Sequence, residues 1–166
     1  METLKRDFFA AWEEEIAAYQ EVALVLSEQK TALTRWDIRQ FQTVSQSAAL
    51  LIARSHKATA ARQDLMESML LMMGADIEKN SLKTIDRLFT DPQDQEKAAV
   101  FFKVFANTLK TIDKYSAENK ELIRTGLELV GDNLEMIADI IDRDRVYSRV
   151  GMIQQKRGSI LLNRQV

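Results

Sequence analysis

The chain has no cysteine, one proline and five glycines among 166 residues. Without thiols it builds no disulfide framework, no thiolate metal site and no cysteine nucleophile. With so few prolines and glycines there is little provision for turns, which excludes an architecture of many short strands. At 46% hydrophobic residues the chain is long enough to bury a sizeable core in a single all-helical domain. His56 is the single histidine, with no second histidine and no glutamate four positions away to build a metal triad or a charge-relay pair, so it reads as a surface or interfacial residue. The glycines at 74, 126, 131, 151 and 158 lack the GxGxxG and GxxxxGK spacings of phosphate loops. No apolar run approaches the roughly 20 residues that span a bilayer. Lys5, Arg6 and Asp7, followed by Glu13, Glu14 and Glu15, do not read as a signal peptide. The expectation is a cytoplasmic protein that is not an enzyme and has no cofactor, no metal and no stable membrane insertion.

What is present is long helical periodicity. The stretch from Asp91 to Tyr147 opens Asp91-Pro92-Gln93-Asp94, a helix start in which Asp caps and Pro occupies the first helical position. Phe102, Phe105, Leu109, Ile112, Ile123, Val130, Ile137 and Ile140 then recur at helical spacing, and Ser116, Asn119, Gly126 and Asn133 complete the same heptad frame. Fully helical, this segment is about 80 Å long, too long for an ordinary globular core. Ile123 falls in the bundle-holding part of this stripe, and its replacement by Asp is expected to unfold the bundle.

A first helix is expected from near Thr3 to Gln29, presenting Phe8, Trp12, Ile16, Tyr19, Val22 or Ala23, and Leu26 on one face. Its other side, including Glu13 to Glu15, reads as solvated. Thr34-Arg35-Trp36-Asp37 resembles a capping box and places a tight connection near Thr31 to Thr34. A second helix follows from about Arg35 to Met73, stopped at Gly74. Its frame is Phe41, Val44, Ala48, Leu51, Ser55, Ala58, Arg62, Leu65, Met69 and Met72. Arg62 is the exception in that frame, either snorkelling along the seam or pairing with an acid from a neighbouring helix. Met66, Met69, Met72 and Met73 read as packing at a helix end more readily than as a soft-metal site. A short helix over Asn80 to Phe89 presents Leu82, Ile85 and Phe89.

The fold expected is therefore all-α: an elongated, coiled-coil-like bundle of three long antiparallel helices plus one short helix, with a C-terminal tail. The domain reading is a helical bundle over residues 1–144 and a basic, apolar C-terminal segment over residues 145–166. The first and second helices, about 40 and 60 Å long, are shorter than the third, so Ile137, Ile140 and Ile141 are expected to stay partly uncovered.

The formal charge of -2 hides an asymmetry. The first thirty residues are acid-rich, whereas Arg145, Arg149, Lys156, Arg157 and Arg164 share the end of the chain with no acidic side chain. That tail also carries Val146, Tyr147, Val150, Met152, Ile153, Ile160, Leu161, Leu162 and Val166. It is too apolar for a disordered tail and too interrupted by Gly151 and Gly158 for one stable helix, so it either folds against a partner or tucks onto its own bundle. A sequence pI near 5.6 and the lack of interleaved aromatics argue against nucleic acid. The glycines argue against a membrane-surface helix in the tail.

The chain resembles the FlgN-type flagellar export chaperones. The matching pieces lie in order: an acidic first helix, Ala32-Leu33 followed by Asp37-Ile38 and Phe41, Arg62 with Leu65, Asn119 with Leu122-Ile123, and Val146-Tyr147-Ser148-Arg149-Val150-Gly151 near the end. The resemblance implies a cytoplasmic type III secretion chaperone that binds hook-filament junction proteins and delivers them to the export gate. By position it places partner contacts on Ile137, Ile140, Ile141, Val146, Tyr147, Arg149, Val150, Gly151 and Ile153, with Tyr147 as the docking residue for the gate. Arg143, Arg145 and Arg149 would favour an acidic client or gate surface. The oligomeric state expected is a monomer or weak homodimer. The alternative is a coiled-coil scaffold or tether that homo-oligomerises through the same seam.

Overall fold

The computed structural model describes residues 2–73 and 88–146, with side chains in the last helix described as far as residue 140. Three helices form it: α1 (Glu2–Thr34), α2 (Ile38–Met72) and α3 (Pro92–Val146). The all-helical expectation holds, but the described helices number three and not four. Most of the expected short helix, and the expected stop at Gly74, lie outside the described residues. Two compact units share the chain, Met1–Ile123 and Arg124–Val166.

The connection between α1 and α2 falls three residues later than the sequence suggested. Thr34 is no cap; it belongs to the last turn of α1, where its hydroxyl donates to the Lys30 carbonyl. Trp36 N–H donates to Leu33 O and Asp37 N–H to Ala32 O, which is the pair of bonds that closes a Schellman motif. The left-handed position of that motif, normally glycine, is held by Trp36 at φ 55°. For a bulky residue this conformation costs about 1–2 kcal/mol. Asp37 ends one helix and caps the next, its carboxylate accepting from Gln40 N–H at 2.9 Å.

α1 is the central element, because both neighbours pack on it. Against α2 the pairing is antiparallel: Glu15 meets Arg62, Tyr19 meets Thr59, Glu21 meets Arg54, and Gln29 meets Ser45. Against the first part of α3 it is parallel: Lys5 meets Asp94, Trp12 meets Phe101 and Phe102, Tyr19 meets Phe105, and Asn119 donates to Leu26 O at 2.9 Å. The chain thus runs up, down and up. Two packed faces on one helix explain a correction: Glu15, read from sequence as solvated with its neighbours, is 1% exposed. Its carboxylate accepts from Arg62 Nε, which decides between the two readings of Arg62.

The core sits where the start of α1, the end of α2, Leu88–Phe89 and the start of α3 converge. Phe8, Phe9, Trp12, Met66, Met69, Leu70 and Phe89 are buried there. Phe9 stacks on Phe89 with ring centroids 4.8 Å apart, and Lys97 lies 4.6 Å over the Phe9 ring. Each such large apolar side chain stabilises the fold by about 1.5–3 kcal/mol. Met66 and Met69 are buried as packing residues, whereas Met72 and Met73 are exposed. The Lys5 ammonium is held above its ordinary value of 10.5, first by the hydrogen bond to Asp94 and then by that to Glu2. A raised pKa means that this link is intact at neutral pH and is lost only as pH climbs past 10.5 and through the higher folded value.

α3 packs through a heptad seam that keeps part of the expected frame and departs from it at Leu109, Ser116 and Ile123. Up to residue 123 the buried and half-buried residues of the helix are Asp94, Ala98, Phe101, Phe102, Val104, Phe105, Thr108, Ile112, Tyr115, Glu118, Asn119 and Leu122. Phe102, Phe105, Ile112 and Asn119 were in the expected frame, and Gly126, also in it, is half-buried. Leu109, Ser116 and Ile123 were too, yet they are exposed, and Thr108, Tyr115 and Leu122 take their places. Val130, expected to help hold the bundle, is 50% exposed. The reason is Asn119: its amide bonds to α1 at Leu26 O and Gln29 Oε1 fix the rotation of the helix, and a neighbour one residue away sits about 100° around it.

Candidate interaction face

Residues 124–140 of α3 form a continuous helical stretch with no described side chain buried in it. Leu127, Val130, Leu134 and Ile137 follow one another at spacings of three and four, which puts them on one side of a helix. Their exposures are 69%, 50%, 61% and 49%. Leu129, Met136 and Ile140 widen the arc on one flank and are also exposed. Together these side chains cover about half the circumference of the helix.

The positions that border the line are small or uncharged: Gly126, Gly131, Asn133 and Ala138. A Cβ added at Gly131 would meet nothing within 4 Å, so this glycine, which weakens a helix by about 0.5–1 kcal/mol relative to alanine, has no packing reason within the described chain. The other side of the helix carries Glu128, Asp132, Glu135 and Asp139, all exposed and again three and four apart. Arg124 pairs with Glu128 at 2.6 Å along the helix. An apolar half and an acidic ridge thus share one amphipathic helix, with low charge between them.

Of the residues expected from sequence to contact a partner, Ile137 and Ile140 lie exposed on this stretch. Ile141 and Val146 are in the helical backbone of α3, but their side chains lie outside those described, and Tyr147, Arg149, Val150, Gly151 and Ile153 lie outside the described residues altogether. Sequence reasoning missed Leu127 and Leu134. The signal was available: the frame read from the sequence passes through Gly126 and Asn133, and the leucine beside each of them continues the apolar line.

A shallow, open depression of about 370 Å³ is lined by Gln20, Ala23, Val104, Asn107, Thr108 and Thr111, none of them an acid or base at neutral pH. Among the described residues no cluster of three or more His, Cys, Asp or Glu is placed to hold a metal ion, and no helix is long and apolar enough to cross a membrane. His56 is exposed on α2.

The described residues form an all-helical bundle with an aromatic core and a line of exposed apolar side chains on the last helix. The family described as FlgN protein matches residues 1–155, and the chain belongs to the FlgN family. It is thereby a flagellar export chaperone, of a family of chaperones and not of enzymes. No curated protein and no solved structure matches it.

Proposed function

We propose that this chain is a cytoplasmic type III secretion chaperone that binds hook-filament junction proteins through the late part of α3 and the C-terminal segment, and delivers them to the export gate. The observation that carries the reading is the bare apolar line Leu127, Val130, Leu134 and Ile137. Amphipathic helices from a terminal region of the client would lie along it, removing apolar surface from water at about 25 cal/mol per Å². Gly131 and Ala138 leave room for a close helix approach, and the acidic ridge stays in solvent. Ile140, Ile141, Val146, Arg149, Val150, Gly151 and Ile153 extend the contact, and Tyr147 docks on the gate.

One observation favours a second reading. Leucine at the first and β-branched residues at the second apolar position of each heptad is a pattern found in coiled coils of more than two strands, which suits a self-associating scaffold or tether.

Titration calorimetry with a junction-protein terminal segment tests both. The double variant Leu134→Asp/Ile137→Asp is expected to weaken client binding by at least about 100-fold, since each buried Leu or Ile is worth roughly 1.5–3 kcal/mol, while the thermal midpoint of the bundle stays put. Tyr147→Ala is expected to leave client affinity intact and to reduce secretion. Sedimentation showing a stable oligomer that the double variant dissolves, with no client binding by the wild type, would replace the chaperone reading by the scaffold.

A further inference from the structure

The α1–α2 turn carries exposed chemistry that client binding on α3 leaves unused. Trp36 is 57% exposed and Ile38 53%, and every residue from Thr34 to Gln40 is exposed. Arg35 and Arg39 stand on either side of Trp36 in the sequence, and among the described residues neither forms an ion pair. The carboxylate between them, Asp37, is occupied in capping α2. Of the acids on the flanks nearby, Glu118 is paired with Lys30 at 3.0 Å.

The conformation of Trp36 is the sharper clue. It holds the left-handed position of the Schellman turn at φ 55°, where glycine or asparagine sits without strain. A bulky residue kept in such a conformation normally gains burial in return, but this residue is more than half exposed. The strain is accepted with little packing inside the fold, which directs attention to something outside it.

We propose that this turn is a peripheral anchor for an anionic lipid surface. The exposed run is the short segment Thr34 to Gln40, few residues beside the roughly 20–30 a side of a stable protein interface. A lipid surface requires no matching shape. It takes an indole and an aliphatic side chain at the headgroup boundary, and its phosphates meet the two guanidinium groups on either side. The contact is weak, reversible and sensitive to salt.

The test uses the full chain and vesicles of phosphatidylcholine with phosphatidylglycerol as about a third of the lipid. Trp12 is 2% exposed, so a change in tryptophan emission reports Trp36. Emission is expected to shift to the blue with these vesicles and not with pure phosphatidylcholine. Arg35→Gln and Arg39→Gln should each weaken the response about fivefold, and the pair together by more than tenfold. Trp36→Asn should abolish co-sedimentation with vesicles while raising the thermal midpoint, because asparagine accepts the left-handed conformation. An unshifted spectrum would overturn the proposal, including when the chain still pellets with vesicles, since binding would then lie in the basic C-terminal segment. An equal shift with polyglutamate would also overturn it and reassign the turn to an acidic protein. So would Trp36→Asn that lowers the midpoint and still pellets.

Discussion

Glu15 has its carboxylate between α1 and α2, 1% exposed, with Arg62 as its ion-pair partner and its Oε1 without a hydrogen bond. Taking both charges out of water costs several kcal/mol, and their attraction roughly offsets it, so the pair adds little net stability while the loss of one member is severe. Arg62→Met is expected to lower the unfolding free energy by about 3–5 kcal/mol in urea titration, and the double variant Glu15→Leu/Arg62→Leu to recover most of it. Half of this pair was legible in the sequence. Arg62 interrupts an apolar heptad frame, which marks it as a residue needing a partner. Glu15 is hidden among Glu13 and Glu14, and nothing local separates an inward carboxylate from two outward ones; the separation comes from α2 packing on that side of α1. Trp36 is a similar case, since no glycine announces the turn that it makes.

At the scale of the element, α3 presents one face to α1 through residue 122, and its large apolar side chains between residues 127 and 140 are exposed. Leu122 lies in the packed seam, whereas Ile123 is 39% exposed. Leu122→Asp is therefore expected to destabilise the bundle by at least about 2 kcal/mol, by burying an unpaired carboxylate, and Ile123→Asp by less than about 1 kcal/mol, as a surface change. Thermal denaturation of the two variants checks the assignment of the seam; equal losses would restore the frame read from sequence. That a long amphipathic helix begins at Pro92 was plain from Asp91, Pro92 and the heptad spacing. Which of two adjacent stripes packs was not, because Leu109 and Thr108, or Ile123 and Leu122, differ by one residue and the more apolar choice is not always the buried one.

Across the whole molecule, the stabilising contacts concentrate in residues 1–123, where the aromatic core, the Glu15–Arg62 pair and the Asn119 contacts are found. Hydrogen exchange should follow that distribution. Amides of residues 98–122 are expected to open at free energies close to that of global unfolding, and those of 124–140 at values lower by at least about 2 kcal/mol, since no apolar burial protects them. Saturating client should slow the second group selectively. The sequence by itself determined the all-helical class, the three long helices and the family, because these depend on composition, periodicity and short motifs that survive without coordinates. Only the tertiary structure decided which face of each helix is inside. Burial is set by which neighbour lies against a stripe, and a neighbour such as Arg62 for Glu15 is far away in the chain.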